Sequence, residues 1–91
     1  MEPTVIQVTP FTVEVDGVKV QVVEVSRQQL VTGDVWYIVS VRVNYKGIES
    51  RVFPLFVRDT RDLKNKLKVE ITKLKIIEAS YGLQEVRRVI A

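Results

Sequence analysis

The side chains of this sequence that are best suited to chemistry are aromatic, basic or small and polar, and they cluster between residues 36 and 53. In chain order they are Trp36, Ser40, Arg42, Asn44, Lys46, Arg51 and Phe53. Aromatic rings offer flat apolar faces for stacking, and guanidinium groups bind anions through paired hydrogen bonds. Serine and asparagine add neutral hydrogen-bond donors. This combination predicts a site for an anion that carries flat rings.

Catalytic chemistry is disfavoured by the side chains that the sequence lacks. Its 91 residues contain no cysteine and no histidine, which removes disulfides, thiol nucleophiles, imidazole bases and zinc-finger ligands together. Asp59 and Asp62 share one helical turn, where aspartates cap a helix far more often than they bind a metal. We therefore predict a binding protein rather than an enzyme, with no catalytic residue, no metal site and no cofactor.

The net charge of +3 is distributed unevenly along the chain. Residues 1–25 carry a net charge of −3, residues 26–57 carry +2, residues 58–81 carry +3 and residues 82–91 carry +1. A polyanionic partner is therefore expected to bind the second half of the chain. A charge of this size also has a plainer interpretation, because it keeps a small domain soluble without any partner.

The composition is typical of one globular domain that spans residues 1–91, with 46% hydrophobic and 27% charged residues. No apolar run approaches the ~18 residues of a membrane span, and the first residues do not resemble a signal peptide, so we expect a cytoplasmic protein. The 19 valines, the scarce asparagine and the abundant lysine, arginine and glutamate indicate a thermophilic source.

The clearest local pattern is a β-hairpin over residues 11–25. Apolar and polar residues alternate on both sides of Asp16-Gly17, a pair that favours the positive φ angles of a two-residue turn. Such a turn places Phe11, Val13 and Val15 opposite Val22, Val20 and Val18 on one face. It places Thr12 opposite Gln21 and Glu14 opposite Lys19 on the other face.

The segments on either side of this hairpin are predicted separately. Val5, Ile6 and Val8 extend its first strand towards the N-terminus, with Thr9-Pro10 marking an edge or a bulge. Residues 26–34 break the alternation and are predicted to form a loop.

A second, longer hairpin is predicted from residues 35–45 and 48–57, with Lys46-Gly47 as its turn. One face pairs Tyr45 with Ile48, Val43 with Ser50, Val41 with Val52, Val39 with Pro54 and Tyr37 with Phe56, and is the core side. The other pairs Trp36 with Val57, Ile38 with Leu55, Ser40 with Phe53, Arg42 with Arg51 and Asn44 with Glu49. Lysine is an unfavourable first turn residue, so a register shifted by one residue stays open. Pro54 marks an edge or the end of the strand.

The apolar period changes from two to about 3.6 after residue 58, which predicts a long helix with Asp59 or Thr60 as its N-cap and Gly82 as its end. Its apolar stripe consists of Leu63, Leu67, Ile71, Leu74 and Ile77. Residues 83–91 are predicted to form a short second helix with contacts through Leu83, Val86 and Ile90. The fold class is therefore α+β: a four-stranded antiparallel sheet of two hairpins, packed by one long amphipathic C-terminal helix, with a short tail.

The polar face of the second hairpin carries the functional prediction. Single-stranded nucleic acid is bound where cations follow the phosphates and aromatic rings stack on the bases. Trp36 and Phe53 would supply rings there, beside the cross-strand arginine pair. In one alternative, the face is simply buried beneath a second protomer or the C-terminal tail, which would cover its four large apolar side chains, Trp36, Ile38, Phe53 and Leu55. In another, the same face is the hydrophobic interface of a protein-interaction module, for instance a small subunit of a transcription or replication assembly.

The predicted helix carries a rival basic surface and a candidate dimer contact. Its five lysines are interpreted as a solvated face, with an anion site as the less favoured alternative. Val69 and Ile76 lie seven residues apart and outside the main apolar stripe, a spacing typical of a contact between helices. We therefore expect a homodimer with the helices near its two-fold axis.

The order of elements, two long antiparallel hairpins followed by one amphipathic helix, resembles the Whirly and transcriptional positive-coactivator-four group, which thermophilic archaeal single-stranded DNA-binding proteins also resemble. The resemblance covers roughly residues 4–81 and rests on that order and on Trp36, Arg42, Arg51 and Phe53 lying on the outer face of the sheet. It implies a four-stranded sheet with a helix, a dimer, and binding of single strands on the sheet. The lysine-rich hairpin loop of the coactivators has no counterpart in this sequence.

Overall fold

The computed structural model describes residues 4–6 and 10–91, with side chains from residue 10 onward. Within this part of the chain the elements are β1 (Thr4–Ile6), β2 (Phe11–Val15), β3 (Val18–Gln29), β4 (Val35–Tyr45), β5 (Ile48–Glu49), β6 (Phe53–Val57), α1 (Thr60–Tyr81) and α2 (Leu83–Ile90). Every strand pairing is antiparallel. β1 and β2 both pair with β3, while β5 and β6 both pair with β4. The sheet is therefore four strands wide, and the predicted α+β class is confirmed.

The first hairpin has the predicted register throughout, from Phe11 opposite Val22 to Val15 opposite Val18. Its turn residues Asp16 and Gly17 have φ angles of 50° and 79°, the left-handed conformation that a two-residue turn requires. The predicted upstream extension is confirmed for residues 5 and 6, which lie in β1. Val8 and Thr9 lie outside the described residues.

The predicted loop over residues 26–34 is wrong for its first four residues, because β3 continues to Gln29 and pairs with β4 as far as Val35. The register of this pairing shifts between Val22 and Glu24. A bulge inserts one extra residue and so interrupts the alternation by which a strand is recognised in a sequence. The connection itself is short, closed by the Leu30 amide donating to the Asp34 carbonyl at 2.8 Å.

The second hairpin begins as predicted, with Tyr45 opposite Ile48 and Asn44 opposite Glu49. Beyond Ser50 the predicted register is wrong by one residue, since Val41 pairs with Phe53 rather than with Val52. The cause is the Ser50 side chain, whose Oγ accepts the Val43 amide hydrogen at 2.8 Å and donates to the Arg51 carbonyl at 2.8 Å. The Ser50 hydroxyl thus takes the place of a backbone carbonyl in the hydrogen bonding between the two strands. The pairing with β4 then continues in β6 with its register shifted by one residue.

The long helix begins and ends where the sequence indicates. Asp59 is its N-cap and accepts the Asp62 amide hydrogen at 2.8 Å, and Gly82 ends it with φ 92°. The central residues of its predicted stripe are buried, and the residues at either end of the stripe are half-buried against the same core.

The short second helix is also present as α2. Its Val86 is fully buried, and Ile90 packs partly against the core. Leu83, predicted as a third contact, is 37% exposed at the first position of α2. The C-terminal segment therefore packs on the core through Val86 in the middle of α2 and Ile90 at its end.

Replacing Ser50 with alanine should destabilise the protein by about 1–3 kcal/mol, because the buried Val43 amide loses its acceptor. Urea unfolding followed by circular dichroism would measure this change. The matched variant Ser80→Ala, on an exposed position of α1, should stay within about 0.5 kcal/mol of the unsubstituted chain. Equal effects of the two substitutions would contradict the role given to Ser50.

Candidate functional site

One face of the sheet packs against both helices, and the opposite face, called the outer face below, does not. The buried residues of α1 and α2 join the same core cluster as the inward valines of β3 and β4. On the other side of β4 the side chains are half-buried or exposed: Trp36, Ile38, Ser40, Arg42 and Asn44. Within residues 4–6 and 10–91, the core cluster that contains the buried helix residues lies on the other side of β4. Four of the predicted site residues, Trp36, Ser40, Arg42 and Asn44, therefore share the outer face.

Trp36 lies at one end of the outer face beside two cations, and the three residues are called the Trp36 cluster. The Arg58 guanidinium carbon is 4.6 Å from the centroid of the Trp36 ring, and Lys66 Nζ is 5.8 Å from it. Both distances fall within the ~6 Å over which a cation is attracted to an aromatic face. Trp36 as a whole is half-buried. The cluster thus presents an aromatic surface and positive charge in one place.

Asp62 positions both cations of the Trp36 cluster. Its Oδ2 accepts the Arg58 amide hydrogen at 3.0 Å and lies 3.5 Å from Lys66 Nζ. Lys66 Nζ also donates to the Phe56 carbonyl on the free edge of β6. The first turn of α1 therefore fixes the cluster against the end of the sheet.

The sequence prediction missed Arg58, Lys66 and Phe56. Continuing the pairing of β6 with β4 by one residue places Arg58 beside Trp36. A correctly predicted register for this pairing would therefore have placed Arg58 on the outer face. The same register puts Phe56 opposite Ile38 on the outer face, where Phe56 is 53% exposed. Lys66 arrives from α1 through tertiary packing, and its position in the helix gave no signal of this contact.

The predicted pairing of Arg42 with Arg51 is wrong, because the register change at Ser50 removes Arg51 from the ladder. Among the described residues, the acid that contacts Arg42 is Glu49, at 3.8 Å between Nη1 and Oε1. That separation is too long for a hydrogen bond. The Nε of Arg42 is buried and has no hydrogen-bond partner within the described part of the chain. The rest of the guanidinium group is partly exposed, since the Arg42 side chain is 39% exposed.

Arg51 and Phe53 lie on the helix side of the sheet, which corrects their predicted position. The Arg51 amide donates to the Ile90 carbonyl at 2.9 Å, so this stretch of the edge is closed by the end of α2. Phe53 is half-buried against the core. Both residues line a cleft of about 380 Å³ between the strand edge, α1 and α2. Neither contributes to the outer face.

Lys46 lies at the tip of the second hairpin and is engaged by α1. Its Nζ is 2.8 Å from Glu78 Oε2, and the Tyr45 hydroxyl donates to Glu78 Oε1 at 2.7 Å. Burial and then the hydrogen bond to Glu78 raise the pKa of Tyr45 to about 12. The hydrogen bonds from Lys46 and Tyr45 lower the pKa of Glu78. This network holds the unfavourable turn residue, with φ 49°, in place.

No group of three or more aspartate or glutamate side chains lies close enough to hold a metal ion in the described part of the chain. Neither α1 nor α2, the two helices of the described residues, is long and apolar enough to cross a membrane.

Comparison of the chain with models of known protein families, with curated proteins and with solved structures finds no match. The resemblance to the Whirly and coactivator group therefore stays a prediction.

Raising the pH from about 10 to about 12 should destabilise the folded protein through Tyr45. An unfolded tyrosine ionises near pH 10, whereas folded Tyr45 keeps its proton to about pH 12, so its contribution is complete below pH 10 and is lost between these values. Thermal unfolding across this range should show a steeper decline for the unsubstituted chain than for Tyr45→Phe. Parallel declines in the two proteins would contradict the assignment.

Proposed function

We propose that this chain is a non-catalytic single-stranded nucleic-acid-binding protein that uses the outer face of its sheet. The observation that carries the proposal is the Trp36 cluster, in which a half-buried tryptophan lies within reach of two cations on the face of the sheet opposite the helical core. Rings that stack on bases and cations that neutralise phosphates are the two elements of single-strand binding. Arg42, Ser40 and Asn44 extend the same surface along β4.

A single strand suits this surface better than a duplex does. The bases of a duplex are stacked inside the helix and offer Trp36 no free ring face, whereas a single strand can rotate its bases outward. Stacking of one base on an aromatic side chain contributes about 1–3 kcal/mol and tolerates any base. Binding would therefore depend strongly on salt and weakly on sequence.

A protein-interaction module is the second candidate, and one observation favours it. Phe56 is 53% exposed and neighbours Ile38 on the outer face, and an apolar pair of this kind is typical of the centre of a protein interface. Glu24 and Glu49 on the same face also reduce its attraction for a polyanion. Trp36 fluorescence discriminates between the candidates, because only nucleic-acid binding predicts a response to an added oligonucleotide.

Substitutions in the Trp36 cluster should weaken binding of a labelled single-stranded oligonucleotide, measured by fluorescence anisotropy at several salt concentrations. Trp36→Ala should lose about 1–3 kcal/mol of binding free energy. Lys66→Gln should weaken binding and lower the slope of log affinity against log salt by roughly 0.7, because one phosphate contact disappears.

The matched control is Lys68→Gln, which removes the same charge from an exposed position of α1 outside the cluster. It should leave the affinity nearly unchanged. Equal losses from the Lys66 and Lys68 variants would move the binding surface to the helix lysines. No binding at low salt would overturn the proposed function altogether.

We also propose that the chain forms a homodimer through the outward side of α1. Val69 and Ile76 are 54% and 60% exposed and lie two turns apart on that side of the helix. A seven-residue apolar spacing suits an isologous contact between two copies of one helix.

Ile76→Glu should therefore shift the protein from dimer to monomer in light scattering coupled to size-exclusion chromatography, because it places two buried carboxylates at the contact. Val31→Glu is the matched control, since Val31 is 95% exposed in the connection after β3. The control should leave the oligomeric state unchanged. A monomeric unsubstituted chain would contradict the proposed contact.

A further inference from the structure

A polar groove of about 230 Å³ lies on the outer face, at the opposite end of β4 from the Trp36 cluster. It is lined by Thr12, Lys19, Gln21, Arg42, Asn44 and Glu49. These residues come from the first hairpin as well as from β4 and β5, and the register brings them together: Gln21 lies opposite Arg42, and Lys19 lies opposite Asn44. The first hairpin has a net negative charge, but its Lys19 lies on the outer face and adds a positive charge to the groove.

The hydrogen-bonding state of the groove favours an anion. Asn44 Oδ1 already accepts the Gly47 amide hydrogen at 3.2 Å, which leaves its NH₂ group to donate. The Arg42 side chain is 39% exposed, and its contact with Glu49, at 3.8 Å, is too long for a hydrogen bond. Lysine and arginine can only donate, and the amide of Gln21 adds further donors. Two cations and several donors therefore line the groove with one carboxylate, that of Glu49, while a second, that of Glu14, lies opposite Lys19 on the neighbouring strand.

We propose that this groove is a second phosphate subsite of the outer face, so that a bound single strand is anchored at both ends of β4. This inference rests on the proposed function and adds the position of the second anchor. In this subsite, Lys19 and Arg42 would bind the oxygens of one backbone phosphate. The side-chain amides of Gln21 and Asn44 would donate hydrogen bonds to the same phosphate. Glu49 beside Arg42 and Glu14 opposite Lys19 are the opposing charges, and they limit the affinity of the subsite.

The separation of the two anchors sets a minimum length for the ligand. Trp36 and Arg42 are six residues apart on one strand, which corresponds to about 20 Å at ~3.3 Å per residue. A stacked single strand carries a phosphate every ~3.4 Å, so about six nucleotides span that distance. The strand between the anchors passes Ser40, Ile38 and the exposed Phe56, which supply no charge.

Oligodeoxythymidines of about three and about nine nucleotides test this spacing by anisotropy competition. The longer strand should bind at least about tenfold more tightly, because it engages both anchors at once. Its affinity should fall about threefold to tenfold in Lys19→Gln and in Arg42→Gln, while the affinity of the short strand changes less. Lys68→Gln is the control and should alter neither affinity.

The substitution Glu49→Gln is the most discriminating test, because it should raise the affinity for the longer strand, whereas Lys19→Gln and Arg42→Gln should lower it. Removing the carboxylate that faces Arg42 should tighten binding of the longer strand by about threefold. A gain of affinity does not arise from a loss of folding. Unchanged affinity in the Glu49 and Lys19 variants, with tight binding of the unsubstituted chain, overturns the second subsite and leaves the proposed function standing. Absence of binding at every length overturns both.

Discussion

The hydrogen bond from the Val43 amide to the Ser50 hydroxyl determines which side chains of the last strand reach the outer face. Because this side chain stands in for a ladder carbonyl, β6 resumes its pairing one residue out of step. Phe53 then turns towards the core and Phe56 turns outward. A one-residue slip reverses every side chain that follows it, so a single buried serine sets the composition of the whole surface near Trp36.

The same register change separates charges that would otherwise repel. Arg51 leaves the sheet face and is held beside α2, so Arg42 faces Glu49 and not a second arginine. At the other end, Arg58 and Lys66 gather around Trp36 under the control of Asp62, whose position is set by the N-cap of α1. The positive charge of the outer face is thus concentrated at the two ends of β4. Its centre is neutral, apolar or acidic.

Local chemistry made the first hairpin and α1 predictable. Asp16-Gly17 and the alternating valines determine a register without help from the rest of the chain, and Asp59 and Gly82 mark the helix ends. The bulge in β3 and the register change at Ser50 interrupt the two-residue alternation of apolar and polar side chains from which the strands were predicted. The composition of the outer face was therefore predicted only in part: Trp36, Ser40, Arg42 and Asn44 lie on it, whereas Arg51 and Phe53 do not. Lys66 reaches Trp36 through tertiary packing that no periodicity encodes.

Binding of single strands to the outer face can be followed residue by residue through amide chemical shifts. A ¹H–¹⁵N spectrum of the protein, titrated with an unlabelled single-stranded oligonucleotide at low salt, reports the backbone amides and the Trp36 indole separately. If the outer face binds the strand, the indole and the amides along β4 and the end of β6 shift, and α2 is unaffected. Shifts confined to the lysine face of α1, or none at all, would show that the outer face does not bind the strand.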